Sequence, residues 1–185
     1  IAFAAAEVGK PAPDFRTTDI EGHAQEIAAL KGKIVVLEWN NPECPFVKKH
    51  YDSKNMQKLQ TNAAKDGVVW LSINSSANGK QGSMEIEQAK KYVADQGAKP
   101  AGYILDHNGT IGKAYGASAT PHMFVIAADG NVAYMGAIDD KNNANAADAH
   151  SAHNYVVAAI EALKAGKMPE VSATSAYGCG VKYAD

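Results

Sequence analysis

The sequence KIVVLEWNNPECPFVKKHY, residues 33–51, has the pattern of a buried strand followed by a turn and a helix. Residues 34–37 form an apolar run rich in β-branched side chains, which is typical of a strand covered on both faces. The polar stretch 40–42 predicts a sharp turn, because its proline cannot continue a central strand. Pro45 suits the first position of a helix, where the N–H that proline lacks would have no partner. We therefore predict a helix that begins directly after Cys44.

Cys44 would lie at the N-terminus of that helix, where free backbone N–H groups and the helix dipole meet its side chain. Both favour the thiolate over the thiol, and the thiolate is the reactive form of cysteine. Lys48 and Lys49, one turn further along, add positive charge, with Lys48 the closer by helical spacing, whereas the carboxylate of Glu43 opposes them. The alternative is a buried structural cysteine, the commonest fate of a lone cysteine. The helix-start pattern of Cys44-Pro45 favours the reactive interpretation.

The composition is that of an ordinary globular protein with one domain. The chain has 185 residues, of which 46% are hydrophobic and 21% are charged, and this length suffices for a sizeable core. The formal net charge of −2 gives no field that would attract nucleic acid or an anionic membrane. No apolar run reaches the roughly 18 residues that span a bilayer. Composition therefore excludes attraction of nucleic acid or an anionic membrane by net charge, and it excludes a membrane-spanning helix within these 185 residues.

Residues 1–7, IAFAAAE, contain small-x-small patterns typical of the end of a cleaved signal peptide. We expect a signal-peptide remnant there, with a flexible tail as the alternative. Export implies a periplasmic or secreted protein, in a compartment where disulfides persist. Within one exported molecule, Cys44 and Cys179 can pair only with each other. We further expect one domain over residues 8–168 and a flexible C-terminal tail over residues 169–185 that carries Cys179.

Strand and helix signals alternate along the chain. Strands are predicted over 15–18, 23–27, 34–39, 68–73, 102–105, 122–127 and 131–135. Helices are predicted over 28–32, 54–65, 84–96, 110–115 and 151–165, and Ser83 is the expected cap of the helix over 84–96. A further helix is predicted to start at residue 45 and to break near residues 52–53. The alternating part predicts a parallel half of a sheet, and the last two strands form a hairpin that adds an antiparallel half. The fold class predicted is therefore α/β: a central mixed sheet flanked by helices, with an N-terminal β-hairpin and a C-terminal extension.

A strand, a cysteine-containing turn, a helix and a later Thr-Pro before a hairpin resemble the thioredoxin fold. The matching stretches are VVLEW (35–39), CPFV (44–47) and TPH (120–122). The stretch VGKPAPDF (8–15) resembles the opening of the alkyl hydroperoxide reductase/thiol-specific antioxidant family, the redoxins, which includes the peroxiredoxins. NPECPFV (41–47) together with YGCGVKY (177–183) is similar to a peroxiredoxin-like subgroup of bacterial thioredoxin-fold proteins. The resemblance covers about residues 8–183 and implies a thiol-based oxidoreductase with antioxidant activity.

The resemblance also implies roles for individual residues. Cys44 would be the attacking thiol and Cys179 a candidate resolving cysteine. Pro121 would be a cis-proline beside the thiol that presents backbone to a bound peptide or thiol, although cis is uncommon for X-Pro bonds in general. The residues expected to support them are Asn41, Pro45, Lys48 and Thr120. Neither a metal nor a cofactor is implied; the expected partners are a thioredoxin-type thiol or disulfide donor, a small oxidant or protein disulfide as substrate, and a second copy in a homodimer.

The chain departs from these relatives at three positions that matter for chemistry. Thioredoxins have a second cysteine three residues after the first, where this chain has Val47, so Cys44 cannot form a local CxxC disulfide. Peroxiredoxins have a threonine three residues before the peroxidatic cysteine, where this chain has Asn41. They also use a late arginine to bind peroxide, and this chain has no arginine after Arg16. These departures count against peroxidase activity.

Three functions are compatible with the sequence. In the first, Cys44 attacks a disulfide or an oxidant and Cys179 resolves the product as an internal disulfide. In the second, a thiol peroxidase, peroxide oxidises Cys44 to sulfenic acid before resolution. In the third, a permanent disulfide between the two cysteines pins the tail of a non-catalytic exported module.

Other candidate residues are predicted to be structural or solvent-exposed. His50 is expected on the surface, because helical spacing places it away from the apolar face. His122 is expected either near the thiol or as a half-buried strand residue. His150 and His153 near Asp148 form only a faint metal pattern, for which a solvated helix face is the better interpretation. Both tryptophans, Trp39 and Trp70, are predicted to lie in the core.

Overall fold

The computed structural model describes residues 5–185, so Ala2-Phe3-Ala4, part of the predicted signal-peptide remnant, lies outside the described residues. The strands are β1 (Arg16–Thr18), β2 (Ala24–Glu26), β3 (Val35–Trp39), β4 (Val69–Asn74), β5 (Gly102–Leu105), β6 (Ala119–Thr120), β7 (His122–Ile126), β8 (Val132–Gly136) and β9 (Cys179–Gly180). The helices are α1 (Pro45–Asp52), α2 (Asn55–Lys65), α3 (Ile86–Gln96), α4 (Thr110–Tyr115) and α5 (Tyr155–Lys164), with 3₁₀ turns at Ala28–Leu30 and Ala146–Asp148. Of the helices described, none has the length and apolar character needed to cross a membrane.

The central sheet is mixed, with the strand order β5-β4-β3-β7-β8. β3, β4 and β5 run parallel to one another, whereas β7 is antiparallel to both β3 and β8. β1 and β2 form a separate antiparallel hairpin at the N-terminal side. These features confirm the predicted α/β class, with its mixed sheet, flanking helices and N-terminal hairpin.

β3 lies at the centre of the sheet and separates two apolar clusters. Val36 belongs to the cluster packed by α1, α2 and α5, whereas Val35, Leu37 and Trp39 belong to the cluster on the opposite face, with α4. Successive side chains of a strand alternate between its two faces, which explains why an unbroken apolar run is needed here. Burying each of these side chains contributes about 1.5–3 kcal/mol. Trp39 and Trp70 are both in the core, as predicted.

β3 also carries a carboxylate into the core. Glu38 is fully buried and accepts five hydrogen bonds. Its donors are Trp70 Nε1 (3.0 Å), Ser72 Oγ (2.8 Å), Gln60 Nε2 (3.3 Å), Tyr51 Oη (2.7 Å) and Asn40 Nδ2 (3.2 Å). A buried carboxylate without such partners would cost several kcal/mol. Glu38 therefore joins the central strands to α1 and α2 through polar contacts as well as packing.

Two helices begin later than predicted, because a polar side chain closer to each helix serves as its cap. α3 begins after Glu85, which forms a capping box with Gln88, so Ser83 is not the cap. α5 begins after Asn154, whose Oδ1 accepts N–H groups of the first turn, rather than at residue 151. The predicted break after α1 is present, and both helices on either side of it pack against the sheet.

Residues 169–185 pack along the domain, in contrast to the flexible tail that was expected. The Thr174 N–H donates to the carbonyl of Met135 in β8 (3.1 Å), and the Ala77 N–H donates to the carbonyl of Lys182 (2.8 Å). Between these two attachments, β9 pairs with β6 in a two-stranded sheet that was not predicted. The segment therefore crosses the end of the domain where α1 begins.

Candidate functional site

Cys44 occupies the N-cap of α1, as the sequence predicted. Its backbone is extended (φ −78°, ψ 125°), and its carbonyl accepts the N–H groups of Val47 (3.0 Å) and Lys48 (2.9 Å). Pro45 fills the first helical position, where a missing N–H costs nothing. The Cys44 N–H donates to the carbonyl of Asn41 (3.1 Å), which closes the turn that follows β3. The sulfur therefore lies at the positive end of the helix dipole, which favours an anion.

Cys44 forms a disulfide with Cys179 of β9, and their Cα atoms are 6.0 Å apart. The peptide bond between Thr120 and Pro121 is cis, and the Cys44 Sγ lies 3.2 Å from the Thr120 carbonyl oxygen. The three residues expected to be catalytic, Cys44, Cys179 and Pro121, are thus brought together from distant parts of the chain. The structure places these residues side by side, and their chemical roles stay predictions.

The segment that carries Cys179 lies directly on the backbone beside the cis-proline. β9 pairs with β6 in antiparallel register, with Cys179 opposite Thr120. Gly178 has a φ of +143°, and a Cβ at this position would collide with the Thr120 carbonyl oxygen. Glycine is therefore required here both for its backbone conformation and for the close approach. As a result, Cys44 is fully buried, whereas Cys179 keeps partial exposure.

The four supporting residues have different surroundings. Asn41 is buried; its Oδ1 accepts the Glu43 N–H (2.9 Å), and its Nδ2 lies 3.5 Å from the carbonyl of Gln81, so it shapes the turn before Cys44. Pro45 and Lys48 are exposed. The Thr120 hydroxyl is buried and has no hydrogen-bond partner among the described residues. Asn41 and Pro45 therefore shape the helix start at Cys44, and Thr120 contacts the Cys44 sulfur through its carbonyl and not through its hydroxyl.

A buried polar cluster next to α1 was not predicted. Lys49, rather than Lys48, extends inward, and its Nζ donates to the carbonyl of Lys141 (2.7 Å) and to the hydroxyl of Tyr177 (3.3 Å). Burial lowers the pKa of Lys49, while the nearby carboxylate of Asp139 opposes this effect. The feature of the sequence that relates to this cluster is the Tyr-Gly-Cys pattern of residues 177–179, which places a tyrosine hydroxyl two residues before Cys179.

The prediction that His50 lies on the surface is wrong. His50 is fully buried, because residues 139–150 cover that side of α1; its Nδ1 lies 3.0 Å from Asn55 Nδ2 and its Nε2 lies 3.8 Å from Asp139 Oδ2. Burial, with Lys49 and His150 nearby, lowers the pKa of His50 to about 3. His122 is also buried, and burial lowers its pKa to about 4. Both side chains are neutral in the folded protein near pH 7.

Acid should therefore destabilise the fold in a defined window. The unfolded chain protonates histidine near pH 6.5, whereas folded His50 and His122 resist protonation until about pH 3 and 4, so the unfolded state binds more protons in between. Their stabilising contribution is fully present above pH 6.5 and is lost as the pH falls towards 4 and 3. We expect the free energy of unfolding to fall by several kcal/mol between pH 7 and 4, measured by urea denaturation.

The variant His122→Asn measures how much of the acid destabilisation comes from His122. The His122 Nδ1 accepts the Ser118 N–H (3.1 Å), and an asparagine oxygen can take over this role. The slope of the free energy of unfolding against pH reports how many more protons the unfolded state binds than the folded state. In the variant this number should be smaller by about one in this window. An unchanged slope would show that other groups cause the acid response.

Comparisons with known proteins agree with this geometry. A family model described as Redoxin matches residues 7–152, which leaves the segment with Cys179 outside the matched region. A thiol-disulfide oxidoreductase ResA of Bacillus thuringiensis subsp. konkukian (strain 97-27) is 30% identical over 126 residues, 68% of this chain and 67% of that protein. A ResA protein of Geobacillus kaustophilus (strain HTA426) is 28% identical over 118 residues, 58% of this chain and 68% of that protein.

Solved structures share the fold over most or all of the chain. An uncharacterized conserved protein from Geobacillus kaustophilus has a TM-score of 0.83 and 26% identity, with 96% of this chain and 93% of that chain covered. A hypothetical protein from Sinorhizobium meliloti 1021 has a TM-score of 0.80 and 24% identity over 98% of this chain and 97% of that chain. A putative thiol:disulfide interchange protein DsbE from Chlorobium tepidum has a TM-score of 0.57 and 22% identity over 69% of this chain and 83% of that chain. The first two likenesses extend across the C-terminal segment, which the family model does not reach.

Proposed function

The chain belongs to the redoxin family, and we propose that it is a thiol-disulfide oxidoreductase in which Cys44 and Cys179 alternate between a disulfide and two thiols. The observation that carries this proposal is the disulfide that joins a cysteine at a helix N-terminus to a partly exposed cysteine on β9, beside the cis-proline. The ResA relatives, named as thiol-disulfide oxidoreductases, support the same class of reaction.

The proposed reaction conserves atoms and electrons in four exchanges, two with the substrate and two with the donor. In the reduced protein, the Cys44 thiolate attacks one sulfur of a substrate disulfide; that bond breaks, and half of the substrate leaves as a thiolate. The Cys179 thiolate then attacks the Cys44 sulfur of the mixed disulfide and releases the second half. The substrate has gained two electrons, and the protein holds the Cys44–Cys179 disulfide. A dithiol donor of thioredoxin type then attacks this disulfide, resolves the resulting mixed disulfide with its second thiol, is itself oxidised to a disulfide, and restores both thiols of the protein.

The surroundings favour Cys44 as the attacking sulfur and as the better leaving group. The helix N-terminus stabilises negative charge on it, and a stabilised thiolate leaves faster when the disulfide is reduced. In the oxidised form Cys44 is fully buried, so an external thiol has access to the sulfur of Cys179 instead. Asn41 and Pro45 would set the start of the helix, Lys48 would add exposed positive charge nearby, and Thr120 would supply the carbonyl beside the sulfur.

A redox titration tests this proposal. The protein is equilibrated in glutathione and dithiothreitol buffers, free thiols are alkylated, and the Cys44–Cys179 pair is followed by intact mass. We expect a reduction potential above about −300 mV, in the range of disulfides that cellular thiols can reduce. A potential below that value would instead support a permanent crosslink that holds residues 169–185 in place, and would remove the cycling proposal.

A hydroperoxide is the second candidate oxidant. The observation that favours it is the close cover of residues 178–180 over Cys44 in the oxidised form, since a small molecule needs less displacement of this segment than a polypeptide does. Peroxide would oxidise the Cys44 thiolate to sulfenic acid with release of water, and the Cys179 thiol would condense with it to the disulfide with release of a second water. Stopped-flow oxidation of reduced protein by hydrogen peroxide tests this route, and a rate equal to that of free cysteine would exclude it.

We also propose a periplasmic or secreted location, because disulfides form and persist in oxidising compartments. The small-x-small patterns in residues 1–7 support the same location. The division into a redoxin domain over 8–168 and a C-terminal segment over 169–185, and a homodimer, are further proposals.

A further inference from the structure

Tyr177 is held by charged groups that the proposed reaction does not use. It lies two residues before Cys179 and is 7% exposed. Its hydroxyl donates to Asp139 Oδ1 (2.5 Å) and accepts from Lys49 Nζ (3.3 Å). Both Lys49 and Asp139 are buried, and burying such charges is costly unless hydrogen bonds compensate. Lys49 and Asp139 together therefore form a specific binding site for the Tyr177 hydroxyl.

The aromatic face of Tyr177 is also held by α1. The ring of Phe46 lies edge-on at 5.9 Å between centroids, and Lys49 Nζ lies 5.3 Å from the centroid of the Tyr177 ring. Phe46 and Lys49 belong to the helix whose N-cap is Cys44. The helix that carries one cysteine thus binds the segment that carries the other through non-covalent contacts in addition to the disulfide.

We propose that Tyr177 is a positioning residue that favours the docked state of residues 174–181 when the disulfide is reduced; transient opening admits the substrate to Cys44, and redocking returns the Cys179 thiol to its side. This inference rests on the proposed function, in which the disulfide opens and closes. A docked segment makes resolution an intramolecular step between preplaced groups, which raises the effective concentration of the Cys179 thiol. In the oxidised protein the disulfide holds the segment against the domain. In the reduced protein the attachment of Tyr177 to Asp139 and Lys49 takes over this role.

Hydrogen exchange in a protein that cannot form the disulfide tests the inference. In the variant Cys44→Ser/Cys179→Ser, amides of residues 174–181 should be protected; the Val181 N–H, which donates to the Ser118 carbonyl (3.2 Å), is a suitable reporter. Adding Tyr177→Phe removes the hydroxyl but keeps the ring, and should accelerate exchange of these amides about tenfold to a hundredfold. Tyr177→Ala, which also removes the ring contacts, should accelerate it at least as much.

Tyr115→Phe is the matched control, since it also removes one buried tyrosine hydroxyl, which donates to the Pro13 carbonyl (2.7 Å) and not to a residue of the segment. It should leave exchange of residues 174–181 unchanged relative to the core. The inference is overturned if these amides exchange like an unstructured peptide in the parent double variant, or if Tyr177→Phe accelerates core and segment equally. The redox titration of the wild type is independent, so failure of the docking role and failure of the proposed function give different results.

Discussion

Cys44→Ser is expected to reduce thiol-disulfide exchange to the rate of the protein-free reaction. Serine keeps the size of the side chain at the N-cap of α1 but supplies no thiolate, and the thiolate is the nucleophile in this chemistry. Cys179 remains in this variant, yet it lies on β9 without a helix dipole to stabilise its anion. The measurement is the reduction of insulin disulfides with dithiothreitol as the electron donor.

Cys179→Ser is the matched control, and it should fail in a different way. When reduced protein is mixed with the substrate in the absence of dithiothreitol, Cys44 can still attack, so each molecule should form one mixed disulfide, visible by intact mass, and then stop because no thiol is present to resolve it. The assignment of roles would be wrong if Cys44→Ser retained exchange while Cys179→Ser formed no mixed disulfide. That outcome would make Cys179 the attacking thiol.

Glu38→Ala is expected to produce the largest loss of stability outside the cysteines. The change removes the acceptor of five hydrogen bonds and leaves the buried donors of Trp70, Ser72 and Tyr51, among others, without a partner. A buried donor left without a partner typically costs about 1–3 kcal/mol, so we expect a loss of several kcal/mol from these donors together. Urea denaturation of the oxidised protein measures this loss, with the disulfide intact in both variant and wild type.

Glu170→Ala is a suitable control, because Glu170 is exposed and makes no side-chain hydrogen bond among the described residues. Its effect should stay within about 0.5 kcal/mol, as for surface substitutions in general. If Glu38→Ala were equally mild, the five donors would have to find other partners, and Glu38 would not be the centre of this network.

The fold was predictable because its signals are local. The apolar run of β3, the Pro45 helix start and the glycines after several helices each depend on neighbouring residues alone. The proximity of Cys44, Pro121 and Cys179 was predictable for a different reason: their sequence stretches resemble a known family. Neither prediction required knowledge of which helices and strands contact one another.

The missed features all depend on contacts between distant elements. Helical spacing placed His50 away from the sheet, but it could not show that residues 139–150 would cover that side of α1. The donors to Glu38 come from four separate parts of the chain, so no local pattern marks the carboxylate. The pairing of β9 with β6 was missed because two-residue strands carry almost no periodic signal.

The single crosslink has a consequence for the unfolded chain. Cys44 and Cys179 are separated by 135 positions, so the oxidised polypeptide contains a large covalent loop. Even fully denatured, such a loop is more compact than the open chain, because its middle cannot extend. The two redox forms should therefore migrate at different rates in denaturing gels without reductant, so the oxidation state inside intact cells can be read from mobility alone.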